Sequence, residues 1–137
     1  MINCFRGKYF FLSNFYPAKV CYEGLMYKSA EAAFQAAKTL DNDTRIAFTK
    51  FNASIAKKEG RKIPLRKDWE EIKFQVMYGI VKDKFSRNKK LKSLLVQTGN
   101  EYLQEENTWG DRIWGTCNGY GQNMLGHILM QVRNELK

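Results

Sequence analysis

Tyr27-Lys-Ser-Ala-Glu-Ala-Ala-Phe-Gln-Ala-Ala-Lys38 is the stretch that decides the fold class. Ser29 is a residue type that accepts a hydrogen bond from the first free N–H groups of a helix, and Ala30 to Lys38 are strong helix formers. The sequence therefore predicts a first helix starting at Ser29. Upstream, the first 27 residues alternate aromatic and polar side chains, broken at Asn14, Pro17 and Glu23-Gly24. That pattern predicts short strands and a hairpin, with a sheet edge there.

Downstream the pattern turns helical. A second helix is expected after Asn42, and a short one between Asn52 and Gly60. A longer helix runs from about Asp68 to Phe85, where Trp69, Ile72, Val76, Ile80 and Phe85 recur at roughly helical spacing. Leu91, Leu94 and Leu95 continue the pattern over Asn88 to Gln97, and Gly99 supplies a stop. Tyr102 to Trp114 lacks helical periodicity and is expected to supply extended segments. In the last helix Leu125, Ile128, Leu129, Val132 and Leu136 share one face. This order predicts an α+β fold: a single compact, mainly helical domain, residues 1–137, with a small sheet.

Composition narrows the class further. With 137 residues, 44% hydrophobic and 14% aromatic, and only two prolines, the chain is globular, neither disordered nor fibrous. Cys4, Cys21 and Cys117 form no Cys-x-x-Cys pair and His127 is the lone histidine, so neither a zinc site nor a disulfide framework is indicated. No metal, cofactor or membrane contact is expected. The absence of a signal-peptide pattern and the cysteine usage point to a cytoplasmic setting. His127, inside an apolar helix, reads as a packing or surface residue, and Cys117 has no local histidine to activate it.

The formal charge of +9 is concentrated in residues 57–92, which hold thirteen Lys/Arg against five Asp/Glu. Two readings fit this segment: a surface that draws polyanions or phosphorylated metabolites, or a solvated helical face. The segment includes Lys57, Lys58, Arg61, Lys62, Arg66, Lys67, Lys82, Lys84, Arg87, Lys89, Lys90 and Lys92.

Asp111-Arg-Ile-Trp-Gly-Thr-Cys-Asn-Gly-Tyr-Gly-Gln-Asn123 sets a carboxylate, an indole and a glycine-rich loop before the last helix. The loop from Gly115 to Gly121 can turn backbone N–H groups toward an anion, and the helix opening near Asn123 adds its positive dipole end. Trp114 beside it can stack on a base or ribose. The same spacing also fits a plain turn closed by a core Trp and a surface Asp. On the first helix, Glu31, Gln35 and Lys38 fall within one stripe, which reads either as a polar site or as an exposed face. Glu31 and Asp111 are the two candidate carboxylates for cleaving a bond to an anomeric carbon. One would steady the oxocarbenium-like centre and position water while the other assists departure of the leaving group. Trp69 reads as an aromatic wall or a core residue, and Asn14 as a base-reading amide or an Asx turn.

These pieces together resemble the NADAR domains, also called YbiA-like proteins. The resemblance runs over nearly the whole chain. It rests on Phe11-Leu-Ser-Asn-Phe15, on Tyr27 to Lys38, on Trp69 ahead of Met77 and Lys84-Phe85, on Leu94-Leu95 with Thr98-Gly99, and on Asp111-x-x-Trp114-Gly115 with Gly121-x-Asn123-x-Leu125-Gly126-x-Ile128-Leu129-Met130. It implies a mainly helical α+β domain that hydrolyses N-glycosidic bonds, with Glu31, Trp69, Asp111 and Trp114 as the matching catalytic set. Lys38 matches a motif lysine able to trap an opened ribose as a Schiff base. Two substrate classes are implied: phosphoribosylated pyrimidine intermediates of riboflavin synthesis, and ADP-ribose on guanine in nucleic acid. For the second class the basic segment 57–92 is the candidate nucleic-acid contact and a toxin the implied partner. The alternative is a non-catalytic module that binds ADP-ribose or nucleic acid.

Overall fold

The computed structural model describes all residues from Met1 to Lys137. The chain divides into two compact units: Asn14–Asn88, and a second built from both ends, Met1–Ser13 with Lys89–Lys137.

In the first unit a hairpin leads straight into a helix. β1 (Pro17–Tyr22) and β2 (Leu25–Ser29) pair antiparallel, with Val20 opposite Tyr27 and Tyr22 opposite Leu25. Glu23 and Gly24 at the tip both have positive φ, 45° and 87°, as a two-residue turn matched to strand twist requires. α1 (Ala30–Ala37) follows without a loop, and the Ser29 hydroxyl caps it by accepting from Ala32 N–H at 3.0 Å. Every residue of α1 is buried. Five of its eight residues are alanine, and these small side chains let neighbouring elements approach closely on all sides. α2 (Asn42–Phe48), α3 (Ala53–Gly60), α4 (Trp69–Arg87) and both strands contact it. Asp41 and Asn52 cap α2 and α3 through their side chains. α4 buries Trp69, Val76, Met77, Ile80, Val81 and Phe85, close to the face expected from periodicity.

The second unit joins the chain ends. Ile2 bridges Leu103 in parallel, and β3 (Glu106–Asn107) pairs in parallel with β4 (Thr116–Cys117). α5 (Lys89–Gln97) and α6 (Met124–Leu136) supply the apolar interior through Leu91, Leu95, Leu125, Ile128, Leu129 and Val132. Arg133, near the end of α6, donates to Thr98 Oγ1 at 2.9 Å and to the Glu101 carbonyl at 2.8 Å.

Two segments differ from the sequence reading. Residues expected as an early strand form a 3-10 helix, Gly7–Leu12, entered by Gly7 at φ 58°; aromatic alternation alone does not separate the two forms. The extended segments expected between Tyr102 and Trp114 are short, at Leu103 and Glu106–Asn107, and the rest is irregular, with bends at 108–109 and 113–114. No helix is long and apolar enough to cross a membrane.

Candidate functional site

The stripe on α1 is not a solvent face. Glu31 is 9% exposed and Gln35 6%, because α1 is enclosed along its length. Gln35 Nε2 donates to Glu31 Oε2 at 2.6 Å. A hydrogen bond to a buried carboxylate is among the stronger ones in proteins. Asn14 holds the same turn from outside: its carbonyl accepts from Glu31 N–H at 3.0 Å, while its side chain donates to Met77 Sδ at 3.4 Å. Asn14 thus fixes where α1 begins.

Lys38, half-buried at the end of α1, has a pKa below the ordinary lysine value. Burial is the main cause, the charge on Glu31 opposes it, and Arg61 adds to it. Its Nζ lies 5.9 Å from the centre of the Phe34 ring, and Phe34 packs on Trp69 with ring centres 5.1 Å apart, tilted by 54°. Trp69 is 5% exposed, so its indole serves first as a wall for Phe34. In this unit the structure therefore gathers Asn14, Glu31, Gln35, Lys38 and Trp69 around α1.

In the other unit, Asp111 shapes the chain ahead of Trp114. Asp111 Oδ1 accepts from Ile113 N–H at 3.0 Å and Trp114 N–H at 2.9 Å. Asn107, buried and absent from the expected set, clamps the Asp111 main chain at both groups. It accepts from Asp111 N–H at 3.1 Å and donates to the Asp111 carbonyl at 2.9 Å. Its signal in the sequence is nil, since such a clamp has no periodicity.

The main chain ahead of α6 takes up the helix donors that the spacing offered to an anion. The N–H groups of Asn123, Met124 and Leu125 donate to the carbonyls of Gly115, Ile113 and Trp114 at 3.2, 3.0 and 2.9 Å. The first donors of α6 are thus spent within the unit. A Cβ at Gly115 would overlap the Glu105 carbonyl, and one at Gly121 the Gly115 carbonyl, so both glycines permit main-chain packing. Asn123, at φ 53°, accepts from Glu105 N–H at 3.1 Å and donates to the Leu103 carbonyl at 2.9 Å. These geometries give Gly115, Gly121 and Asn123 the work of holding the loop, where spacing suggested phosphate contacts.

The basic segment is less uniform than its count. Lys84 is 1% exposed, with Nζ 4.9 Å from the Phe85 ring centre and 5.8 Å from that of Tyr16. Burial pulls its pKa down to about 7. It does not belong to a surface patch. Lys62, Arg66, Lys73 and Arg87 each pair with a nearby carboxylate, on Glu59, Asp68, Glu70 and Asp83. His127 is exposed, edge-on to Tyr102 with ring centres 6.1 Å apart. No group of three or more His, Cys, Asp or Glu side chains is arranged to hold a metal ion.

The chain belongs to the NADAR family, whose domain model matches residues 4–137. It is 38% identical over 130 residues to a Shigella boydii protein named N-glycosidase YbiA, covering 90% of this chain and 79% of that one. A riboflavin biosynthesis protein of Vibrio vulnificus is 37% identical over 133 residues, covering 93% of this chain and 35% of that protein. The NMR structure of Escherichia coli YbiA superposes with a TM-score of 0.85 at 33% identity, over 99% of this chain and 86% of that one. The fold is the α+β fold of that structure.

Proposed function

We propose that the protein is an N-glycosidase that hydrolyses the bond between a ribosyl C1′ and a nitrogen. The observation that carries this is the Glu31 carboxylate: buried, hydrogen-bonded by Gln35 at 2.6 Å, and within the field of Lys38. The C1′–N bond breaks as positive charge builds on the sugar, a buried carboxylate steadies that charge, water supplies the oxygen at C1′, and its proton leaves on the nitrogen. Relatives named as N-glycosidases support the reaction class.

Glu31 and Asp111 are the proposed catalytic carboxylates, Gln35 holds Glu31 in place, and Asn14, Trp69 and Trp114 are the proposed substrate contacts. Lys38 is the proposed covalent trap. Its lowered pKa leaves more neutral amine to add to C1′ as the base departs; the sugar ring opens to an imine that water then hydrolyses. Borohydride added during turnover should fix the sugar on Lys38, and an unmodified lysine removes this step. On this reading residues 1–137 act as one domain, since the family match runs across both units.

The proposed substrate is a phosphoribosylated pyrimidine amine of riboflavin synthesis; the Vibrio vulnificus relative, named a riboflavin biosynthesis protein, supports that pathway class. A second reading, ADP-ribose on guanine in nucleic acid with a toxin as partner, draws on Lys58, Arg61, Lys62, Lys67, Lys89, Lys90 and Lys92, which are exposed. Incubation with each substrate and assay of released sugar separates them. Release from the small substrate alone supports the first, and release from oligonucleotide alone the second.

A further inference from the structure

Gly60 closes α3 as a buried residue. Its φ is not among the positive values of the chain, so its backbone conformation is open to any residue. At an open helical position alanine is favoured over glycine. What forbids a side chain here is space. A Cβ on Gly60 would fall on Gln35 Oε1, with Gln35 Cδ at 2.7 Å and Gln35 Cβ at 3.1 Å. The carboxamide of Gln35 fills the volume that any other residue at position 60 would claim.

That carboxamide has one orientation. Its Nε2 donates to Glu31 Oε2 at 2.6 Å, while its Oε1 is buried against Gly60 without a hydrogen-bond partner. Turning the amide over would set its oxygen against the carboxylate, so an ionised Glu31 fixes the NH2 group toward itself. The buried oxygen is then left with no polar partner, and glycine is the residue that gives it room.

We infer that Gly60 is a positioning residue for Glu31, acting through Gln35: α3 presents a glycine so that the amide can reach the carboxylate. The inference rests on the reading of Glu31 as a catalytic carboxylate. A methyl group at position 60 displaces the amide, and Glu31 loses the Gln35 donor. Loss of a donor disfavours the charged form, so the carboxylate titrates at higher pH.

The test combines Gly60→Ala, Gln35→Ala and the double variant with Glu31→Gln as reference. Gly60→Ala should lower kcat about 10- to 100-fold with KM changed no more than about threefold, as misplacement of a reacting group does. It should also raise the Glu31 pKa followed by carboxyl-carbon NMR. In the Gln35→Ala background, which removes the Oε1 and Cδ overlaps and leaves only the Cβ contact at 3.1 Å, Gly60→Ala should cost little further. If Gly60→Ala alone does not fold, the double variant should fold and match Gln35→Ala in kcat. An unchanged Glu31 titration in Gly60→Ala, or additive losses in the double variant, overturns the inference. Retained turnover in Glu31→Gln instead removes the reading of Glu31, and the NMR titration then still reports whether Gly60 sets its environment.

Discussion

The carbonyl of Asn14 accepts the N–H of Glu31 at 3.0 Å, so the residue that ends the approach to the hairpin also fixes the first turn of α1. A Ser29 cap at 3.0 Å closes the same turn from the other side. The candidate carboxylate therefore stands on backbone that is held twice before any side chain of the stripe is counted.

Glu31→Gln keeps the shape of the side chain and removes its charge. Turnover should fall by about 10²- to 10⁴-fold, the range for a positioned acid or base. Circular dichroism should remain that of the wild type. Near-normal turnover from the folded variant would falsify the assignment.

Asp111 has two separable roles. Asp111→Asn keeps an oxygen that accepts from Ile113 and Trp114 N–H, whereas Asp111→Ala loses it. The alanine variant should cost about 1–2 kcal/mol more in urea unfolding than the asparagine variant, while both lose turnover. Equal stability of the two would show that the hydrogen bonds at 3.0 and 2.9 Å carry no weight.

Trp69 supports Phe34 across 5.1 Å. Trp69→Ala should destabilise the fold by about 3–5 kcal/mol, the cost of emptying a large aromatic site. A cost below about 1 kcal/mol, read from chemical denaturation, would mean that the indole is not a wall of the interior.

Lys84 makes stability depend on pH. Its folded pKa is depressed to about 7 by burial, so between about pH 7 and the usual lysine value near 10.4 the unfolded chain holds a proton that the folded chain does not. Stability should therefore rise with pH above 7. The full cost of burying the charge is present below that point. Burial also lowers the Lys38 pKa, which acts in the same sense, so the comparison needs Lys84→Met. That variant should lose a rise on the order of a few kcal/mol between pH 6.5 and 9.5. An identical pH dependence in the two proteins contradicts the assignment.

Much of this fold is legible in the residues themselves. Ser29 with its alanine run marks α1, and Glu23-Gly24 marks the hairpin, since both signals are local. The side-chain clamps are invisible because their partners are main-chain groups, which every residue carries: Asn107 on Asp111 and Asn123 on Leu103 are set by how the chain packs and leave no period. Charge is misread for a related reason. Lys84 counts as a cation in any sum over 57–92, yet whether it meets water depends on how α4 packs. Glu31, Gln35 and Lys38 are visible as a stripe, but spacing alone cannot tell a buried stripe from an exposed one. The alanines of α1 itself, which let its neighbours enclose it, decide that in the fold.

The central claim is tested most directly by mixing the purified protein with a ribosylamino-pyrimidine phosphate, and separately with an ADP-ribosylated guanine oligonucleotide, and measuring free base and reducing sugar over time. Equal amounts of base and sugar from one of them, lost in Glu31→Gln, are the predicted result; tight binding of either compound with no product released contradicts it.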